Sequence, residues 1–404
     1  MLAQPSSANA PAPAAGGEIL VVAEAGPPPA APFAAALQAR LAAGLCGRAV
    51  KVLVVTAQPE LALVDPADPR AGVAASSSLQ GGAGRGGVVG ALLREADSRG
   101  AAAAALVRGP ERDEDVDWLR LLVSPILDEG FELVCPAYRR GRFDGMLGTA
   151  ILYPLTRALY GARLRQPAGG EAGLSLAFAR HLLEHPDWHR DPGGAGSDAW
   201  VVAKALSERR RVCQAWLGRW PGEGVPEDAS HALARLVGPV FREMERAAER
   251  WQRLDGSTPV PAFGAPGPPA EDRALPDVAA LAAPLRLGLR ELDAVWGLVL
   301  PPASRLALQR AAAAPPEELR LDDALWARVV YDFAVAHSTR ALERGQLLRS
   351  MTPLYLGWVA GFVNDVRALD AAATEARVEA LCAAFEREKR YLIGRWRWPD
   401  TFNP

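Results

Sequence analysis

The chain lacks the cysteine pattern of a protein stabilised by zinc or disulfides. Its 404 residues include 4 cysteines, which lie far apart and form no Cys-x-x-Cys pair. They are Cys46, Cys135, Cys213 and Cys382. Structural zinc sites and small disulfide-rich domains both need closely spaced cysteines. We therefore expect reduced, buried thiols in a cytoplasmic protein.

The chain also lacks a long apolar run and an excess of basic charge. No uncharged segment reaches the roughly 18–20 residues of a membrane-spanning helix. Lys and Arg number 45 against 47 Asp and Glu, whereas nucleic-acid-binding proteins are usually basic. We expect neither a transmembrane segment nor a nucleic-acid partner. Residues 1–17 lack the charged and apolar regions of a signal peptide, and their Ala, Pro, Ser and Gly predict a disordered leader.

Apolar runs alternate with helical patterns through the first half of the chain. Strands are predicted at 18–23, 49–56, 101–107, 131–135 and 212–217, and helices at 33–43, 88–99, 117–129 and 198–209. This alternation predicts an α/β domain over 18–220 with a doubly wound, mainly parallel sheet. Ligands of such sheets bind at the carboxyl ends of the strands.

The second half of the chain has mainly helical periodicity. Within 221–254 a long amphipathic helix is predicted from residue 229, with Phe241, Met244 and Trp251 on one face. A Pro/Gly-rich linker is predicted at 255–275, and an all-α extension follows it. The helices of this extension, 276–404, are predicted at 276–299, 302–313, 322–344 and 373–395, with aromatic residues at spacings that favour core packing.

Two adjacent arginines follow the predicted strand at 131–135. Tyr138, Arg139 and Arg140 come just after its carboxyl end. Planar guanidinium groups in that position suit a carboxylate or a phosphate, because each makes paired hydrogen bonds. Solvated surface arginines are the alternative.

Two acidic residues stand next to glycines further along the chain. Gly169 and Gly170 precede Glu171, which suits a backbone that approaches a ligand and presents one carboxylate. A tight turn with an exposed glutamate is the alternative. Asp198 lies at the start of a predicted helix, where it is a candidate general base or an N-cap residue.

A glycine-rich loop and three histidines are weaker candidates. Residues 81–87 could hold a phosphate through backbone N–H groups, but no Gly-Lys-Ser/Thr follows, so a plain flexible loop remains open. His181, His185 and His189 lie four residues apart, yet Pro186 breaks the helix between them. A surface cluster is favoured, and no metal site is assigned.

Several of these stretches resemble the GT-A glycosyltransferases of family-2 type. Within that group they look like the bacterial glucosyl-3-phosphoglycerate and mannosylglycerate synthases. The stretches are Leu133-Val-Cys-Pro-Ala-Tyr-Arg-Arg140, Tyr153-Pro-Leu-Thr-Arg-Ala-Leu-Tyr160, Arg165-Gln-Pro-Ala-Gly-Gly-Glu-Ala-Gly173 and Gly196-Ser-Asp198. The helical extension resembles that of a prokaryotic subgroup.

The resemblance implies a nucleotide-sugar donor on the N-terminal strands and a small anionic acceptor, such as a glycerate, among the later loops. In the family a Mg²⁺ or Mn²⁺ ion on an Asp-x-Asp motif holds the donor diphosphate. The resemblance implies catalytic roles for Asp198 and Glu171, substrate contacts for Tyr138, Arg139, Arg140, Gly169 and Gly170, and donor contacts for Arg85 and Arg108.

The sequence departs from the family at the metal motif. The Asp-x-Asp position is occupied by Arg108-Gly109-Pro110, and an arginine repels a divalent cation. The turn after the first strand and the acid after the second are also missing, with Glu24-Ala-Gly-Pro-Pro-Pro29 and Thr56-Ala57-Gln58 in their places. Arg108 could itself neutralise the departing diphosphate. Alternatively, the acids between Glu111 and Asp115 restore metal binding.

Two functions therefore remain open. The first is a glycosyltransferase that moves a hexose from a nucleotide-sugar to a small anionic acceptor. The second is a catalytically inactive GT-A-like binding or scaffolding protein that has lost its metal and nucleotide site. Formation of a homo-oligomer is left open.

Overall fold

The computed structural model forms two compact units. The first comprises 1–136, 170–193 and 210–215, and the second comprises 137–169, 194–209 and 216–404. The domain predicted at 18–220 is divided between them. The structure describes residues 17–24, 36–56, 62–64, 85–108, 117–190, 197–219, 224–267, 270–272 and 274–399. Apart from Gly17, the predicted leader lies outside the described residues.

The described strands follow the predicted apolar runs and add short ones. They are β1 (Ile19–Glu24), β2 (Val50–Thr56), β3 (Ala62–Val64), β4 (Ala103–Arg108), β5 (Leu133–Arg139), β6 (Ala162–Arg163), β7 (Ala172–Ser175), β8 (Val212–Arg219), β9 (Thr258–Pro259) and β10 (Ala262–Phe263). The last two lie in the predicted linker at 255–275. Strand β5 includes Pro136 and continues four residues beyond Cys135, where the predicted strand ends.

The sheet of the first unit has the order β8-β5-β7-β4-β1-β2-β3. Strand β1 pairs in parallel with β2 and β4. Strand β7 is antiparallel to both β4 and β5, so β1, β2, β4 and β5 run in one direction. Residues 19–22 of β1 are fully buried, as expected for a parallel strand covered on both faces. The predicted α/β fold with a largely parallel sheet and a helical C-terminal part is confirmed.

The helices account for most of the second unit. In chain order the α-helices are α1 (Arg85–Arg99), α2 (Asp117–Glu129), α3 (Tyr153–Tyr160), α4 (Leu176–Glu184), α5 (Pro186–Arg190), α6 (Asp198–Ser207), α7 (Ala229–Arg246), α8 (Ala248–Trp251), α9 (Val278–Glu291), α10 (Asp293–Gly297), α11 (Pro302–Ala312), α12 (Asp323–Thr339), α13 (Arg344–Val366) and α14 (Ala371–Arg397). A π-helical turn, Gly148–Leu152, leads into α3, and a 3₁₀ turn occupies Pro316–Glu318.

The core of the second unit lies between its long helices. Helix α13 packs against α7 and α9, and α14 packs against α3 and α12. The aromatic residues predicted to pack in this core are almost fully buried: Trp326, Tyr331, Phe333, Tyr355, Trp358 and Phe362. The face formed by Phe241, Met244 and Trp251 is buried as predicted. None of the helices in the described part of the chain has the length and apolarity of a membrane span.

Three predicted helices are interrupted. The helix predicted at 322–344 ends at Thr339, because Arg340 adopts a left-handed conformation with φ of 55°. Helix α13 then starts after the N-cap Glu343 and was not predicted as a separate element. The long helix predicted from residue 229 is broken at Ala247, and the helix predicted at 276–299 is broken at Leu292. The ψ angles of these two residues, 15° and 11°, lie outside the helical range.

Candidate functional site

The carboxyl ends of β1 and β4 bring together charged residues of the first unit. Glu24 and Arg108 are register partners at the ends of these parallel strands. Their side chains form an ion pair of 3.7 Å between Arg108 Nε and Glu24 Oε2. The backbone N–H of Arg108 donates to Glu171 Oε1 at 3.1 Å. Glu24, Arg108 and Glu171, with Gly170, are called the strand-end cluster below.

Gly170 gives Arg108 its position in this cluster. Its φ is +84°, and a Cβ there would lie 2.6 Å from Cζ and 2.7 Å from Nε of Arg108. Only glycine therefore allows the guanidinium group to lie against this backbone. Glu171 is 3% exposed, so the exposed tight-turn alternative does not hold, and its carboxylate supports the end of β4.

The strand-end cluster does not fit a divalent metal ion. The side chain of Arg108 is cationic and is paired with Glu24, and a cation at the end of β4 would repel a divalent metal ion. Gly109, Pro110 and the acids at 111–115 lie outside the described residues. Across the described ranges, no group of three His, Cys, Asp or Glu side chains is arranged to hold a metal ion.

The second unit contains a cavity of about 230 Å³ that begins where β5 ends. Three arginines and four acids contribute to its wall. The charged and hydroxyl-bearing lining residues are Arg140, Arg142, Asp144, Thr149, Arg165, Asp272, Asp370, Thr374 and Glu375. The cavity is called the arginine pocket below.

Arg140 and Arg165 give the arginine pocket its positive character. Arg140 directly follows β5, and its Nη1 reaches the carbonyl of Gly145 at 3.5 Å. Burial, reinforced by the nearby charge of Arg165, lowers the pKa of Arg140 to about 9. Arg165 makes a two-pronged contact with Glu375, with Nε–Oε1 of 2.8 Å and Nη2–Oε2 of 3.2 Å. Burial opposes its charge, but Glu375 leaves the pKa of Arg165 raised.

The other acids of the pocket hold its backbone. Asp144 Oδ2 accepts a hydrogen bond from the backbone N–H of Gly141 at 2.8 Å. Asp272 accepts from the backbone N–H and Nε of Arg142, both at 2.7 Å. Asp370 caps α14 by accepting from the N–H of Ala373 at 2.7 Å. These carboxylates therefore shape the loops around Arg140 and Arg165.

The adjacent arginines at the end of β5 have different surroundings. Arg140 lines the pocket, whereas Arg139 is not among the lining residues. The side chain of Arg139 instead lies against Gly267, where an added Cβ would be 3.3 Å from Arg139 Cδ. Neighbouring strand residues point to opposite faces, which explains the difference. Tyr138 is buried, and its hydroxyl donates to the carbonyl of Gly169 at 3.4 Å. Tyr138 and Arg139 lie within β5, not beyond it as predicted.

The remaining predicted residues lie at helix starts. Asp198 is the first residue of α6 and is half-buried. The N-cap is Ser197, whose side chain accepts a hydrogen bond from the N–H of Trp200 at 3.2 Å, so Asp198 itself is not the cap. Arg85 is the first residue of α1, which begins three residues earlier than predicted. The rest of the glycine-rich loop before it, 81–84, is not described.

Two histidines of the predicted cluster at 181–189 make local contacts. The His181 ring stacks on Phe178, with ring centroids 6.3 Å apart. His185 Nδ1 accepts a hydrogen bond from the backbone N–H of Asp187 at 3.2 Å. The side chain of His189 lies outside the described part of the chain.

Of the charged and hydroxyl-bearing residues that line the arginine pocket, only Arg140 was a predicted site residue. Arg165 lies within a stretch that carries the family resemblance. Its place in that stretch, between Leu164 and Gln166, is the sequence feature that could have identified it as a site residue. Thr149 lies in the π-helical turn, while Thr374 and Glu375 come from the first turn of α14. More than 200 residues separate Arg165 from Glu375, so no local pattern connects them.

Comparison with solved structures finds similarity to structures of glucosyl-3-phosphoglycerate synthase. Glucosyl-3-phosphoglycerate synthase from Mycobacterium tuberculosis, with Mn²⁺, uridine diphosphate and phosphoglyceric acid, is similar at 18% identity and a TM-score of 0.39, over 58% of this chain and 79% of that chain. Its complex with phosphoglyceric acid is similar at 20% identity and 0.40, over 58% and 81%. No family model and no curated protein matches the chain. A likeness of this size does not bear on the chemistry of the site.

Proposed function

We propose that this chain is a glycosyltransferase that moves a hexose from a nucleotide-sugar to a small anionic acceptor such as a glycerate. The observation that carries the proposal is the arginine pocket, where Arg140 and Arg165 line a cavity at the end of β5. Guanidinium groups bind carboxylates and phosphates through charge-assisted hydrogen bonds. The family motifs around Tyr153 and Gly169 support the same activity, and the reduced cysteines favour a cytoplasmic location.

The pocket has the size of an acceptor site, and two of its arginines suit an anion. About 230 Å³ is enough for a small hydroxy acid but not for a nucleotide-sugar. Burial and the nearby charge of Arg165 lower the pKa of Arg140, so an anion bound beside these two arginines would favour their charged forms. Arg140 and Arg165 are therefore assigned to the acceptor, whereas Arg139, Tyr138 and the glycines support the surrounding backbone.

The strand-end cluster is assigned to the donor. In an α/β sheet the carboxyl ends of neighbouring parallel strands are the usual ligand position. We assign to Arg108 the neutralisation of the donor diphosphate, since its pairing with Glu24 is long and partly exposed and such pairs are weak. Glu171 and Gly170 hold Arg108, and Arg85 adds a cationic residue at the start of α1.

The proposed reaction uses one proton acceptor. The acceptor hydroxyl oxygen bonds to the anomeric carbon, and the bond from that carbon to the diphosphate oxygen breaks. The nucleoside diphosphate leaves with the electron pair, and its charge is balanced by Arg108. Asp198 takes the hydroxyl proton, and its position in the first turn of α6 favours a negative charge there.

One observation favours the alternative of an inactive binding protein. Within the strand-end cluster the guanidinium group of Arg108 pairs with Glu24, and its backbone N–H donates to Glu171, so this cluster can be stable without a ligand. In that case the arginine pocket would still bind a small anion, but no sugar would be transferred.

A transfer assay with two neighbouring variants tests the proposed function. Arg140→Ala should raise the KM for glycerate or a phosphorylated glycerate by about ten- to a hundredfold, because a charge-assisted hydrogen bond is lost. The control Arg139→Ala removes the adjacent arginine, which does not line the pocket, and should change the KM less than threefold. Equal effects of both variants, or no transfer by the unmodified protein from any nucleotide-sugar, would refute the proposal.

A further inference from the structure

The C-terminal helix contributes a hydroxyl group to the arginine pocket. Thr374 lies in the first turn of α14 and lines the cavity. It is 6% exposed. Its Oγ1 is buried and has no hydrogen-bond partner among the described residues.

An unsatisfied threonine hydroxyl is unusual within a helix. Threonine normally donates to the carbonyl of the preceding turn, as Thr156 does to Leu152 at 2.7 Å and Thr339 does to Val335 at 3.1 Å. For Thr374 the corresponding carbonyl belongs to Asp370, and it accepts the backbone N–H of Thr374 at 2.9 Å. Leaving a buried hydroxyl without a partner costs stability, so a ligand is the natural partner to consider.

The surroundings of Thr374 favour an anionic ligand. The same cavity is lined by Arg140 and Arg165. Thr374 also lies in the first turn of a 27-residue helix, where the helix dipole favours negative charge. The cavity therefore holds a hydroxyl donor, two guanidinium groups and a helix N-terminus, all of which can bind an anion. Its carboxylates include Glu375, which pairs with Arg165, and Asp370, which caps α14.

We propose that Thr374 is a substrate-positioning residue whose hydroxyl donates a hydrogen bond to an anionic oxygen of the acceptor. This inference rests on the proposed function, because the acceptor is the anion assigned to the arginine pocket. It makes the last helix of the chain part of the acceptor site. The hydroxyl then selects acceptors whose anionic group extends from the arginines to α14.

Calorimetric titration with inorganic phosphate tests the inference. Thr374→Val removes the hydroxyl but keeps the shape, and we expect about tenfold weaker phosphate binding, the effect of one hydrogen bond to a charged group. The ligand-free variant should melt at or above the temperature of the unmodified protein, because no existing hydrogen bond is lost. Thr374→Ser should restore most of the affinity.

Two further variants separate the possible outcomes. Thr352→Val is the matched control, because Thr352 Oγ1 is also buried without a partner among the described residues but does not line the pocket; its phosphate affinity should be unchanged. If Arg140→Ala weakens phosphate binding and Thr374→Val does not, the role of Thr374 is refuted and the pocket stands. If the unmodified protein binds neither phosphate nor glycerate, both proposals fail. A lower melting temperature of Thr374→Val would indicate a structural role and would also overturn the inference.

Discussion

At the scale of single residues, the glycines near Glu171 serve two separate contacts. The sequence predicts a backbone that approaches a ligand at this stretch, but the nearest neighbours of its glycines belong to the chain itself. Gly170 lies against Arg108, and a Cβ on Gly173 would overlap the carbonyl of Leu122 in α2. The glycines were identifiable from the sequence, whereas their partners were not, because those partners lie some 50 to 60 residues away.

Replacement of Gly173 should destabilise the first unit. In Gly173→Ala the added methyl group meets a backbone carbonyl, which cannot move without shifting α2 against β7. We expect a loss of about 2 kcal/mol or more in the free energy of unfolding, measured by urea denaturation. Gly394→Ala is the control, because a Cβ there meets nothing within 4 Å. It should stabilise α14 by about 0.5–1 kcal/mol; equal effects would contradict this explanation.

At the scale of elements, buried charges connect the helices of the second unit. Arg157 of α3 is 3% exposed and pairs with two acids of α14, with Nη1–Oε2 of 2.6 Å to Glu379 and Nε–Oε1 of 2.9 Å to Glu386. The amphipathic pattern predicted α14 but not this partner. Helix propensity likewise could not predict the break at Arg340. Arginine rarely adopts a left-handed backbone conformation, so this conformation is imposed by the surrounding structure.

Loss of Arg157 should weaken the contact between α3 and α14. We expect Arg157→Ala to lower the free energy of unfolding by about 2 kcal/mol, because Glu386 would keep a partly buried charge without its arginine. In the control Arg180→Ala, an ion pair with Asp97 whose side chains are 53% and 45% exposed is lost. Such pairs contribute little, so a change below about 0.5 kcal/mol is expected. Similar losses in urea denaturation would argue against the buried connection.

Helices α12 and α14 should also give the protein a pH-dependent stability. Burial raises the pKa of Asp332 from 3.8 to about 6, although hydrogen bonds from Tyr391 and Arg395 oppose the rise. The folded state therefore binds this proton more tightly than the unfolded state. Its contribution to stability is present below about pH 4 and is lost as the pH rises through 6.

Asp332→Asn should remove this dependence. Between pH 4 and pH 6.5, the free energy of unfolding of the unmodified protein should fall by on the order of 2 kcal/mol relative to the variant. Urea denaturation at several pH values gives the difference directly. Parallel curves for the two proteins would contradict a raised pKa at Asp332.

At the scale of the whole molecule, the order of strands and helices was predictable because buried strands and amphipathic helices have distinct periodicities. The antiparallel β7 between β4 and β5 was missed, because four residues give too short a pattern. The predicted single domain at 18–220 also did not show that 137–169 and 194–209 group with the C-terminal helices. Arg140 was predicted as a site residue from the sequence, but Arg165, Thr374 and Glu375 line the same cavity only because of the tertiary fold.

We propose a nucleotide-sugar enzyme in which the cationic side chain of Arg108, instead of a metal ion, neutralises the donor diphosphate. Calorimetric titration with uridine and guanosine diphosphate sugars, in EDTA and again with Mn²⁺, tests this claim most directly. We expect binding of one of these sugars in EDTA, little strengthening by Mn²⁺, and at least tenfold weaker binding by Arg108→Ala. Absence of binding under both conditions, or binding that requires Mn²⁺ and is unaffected by Arg108→Ala, would contradict it.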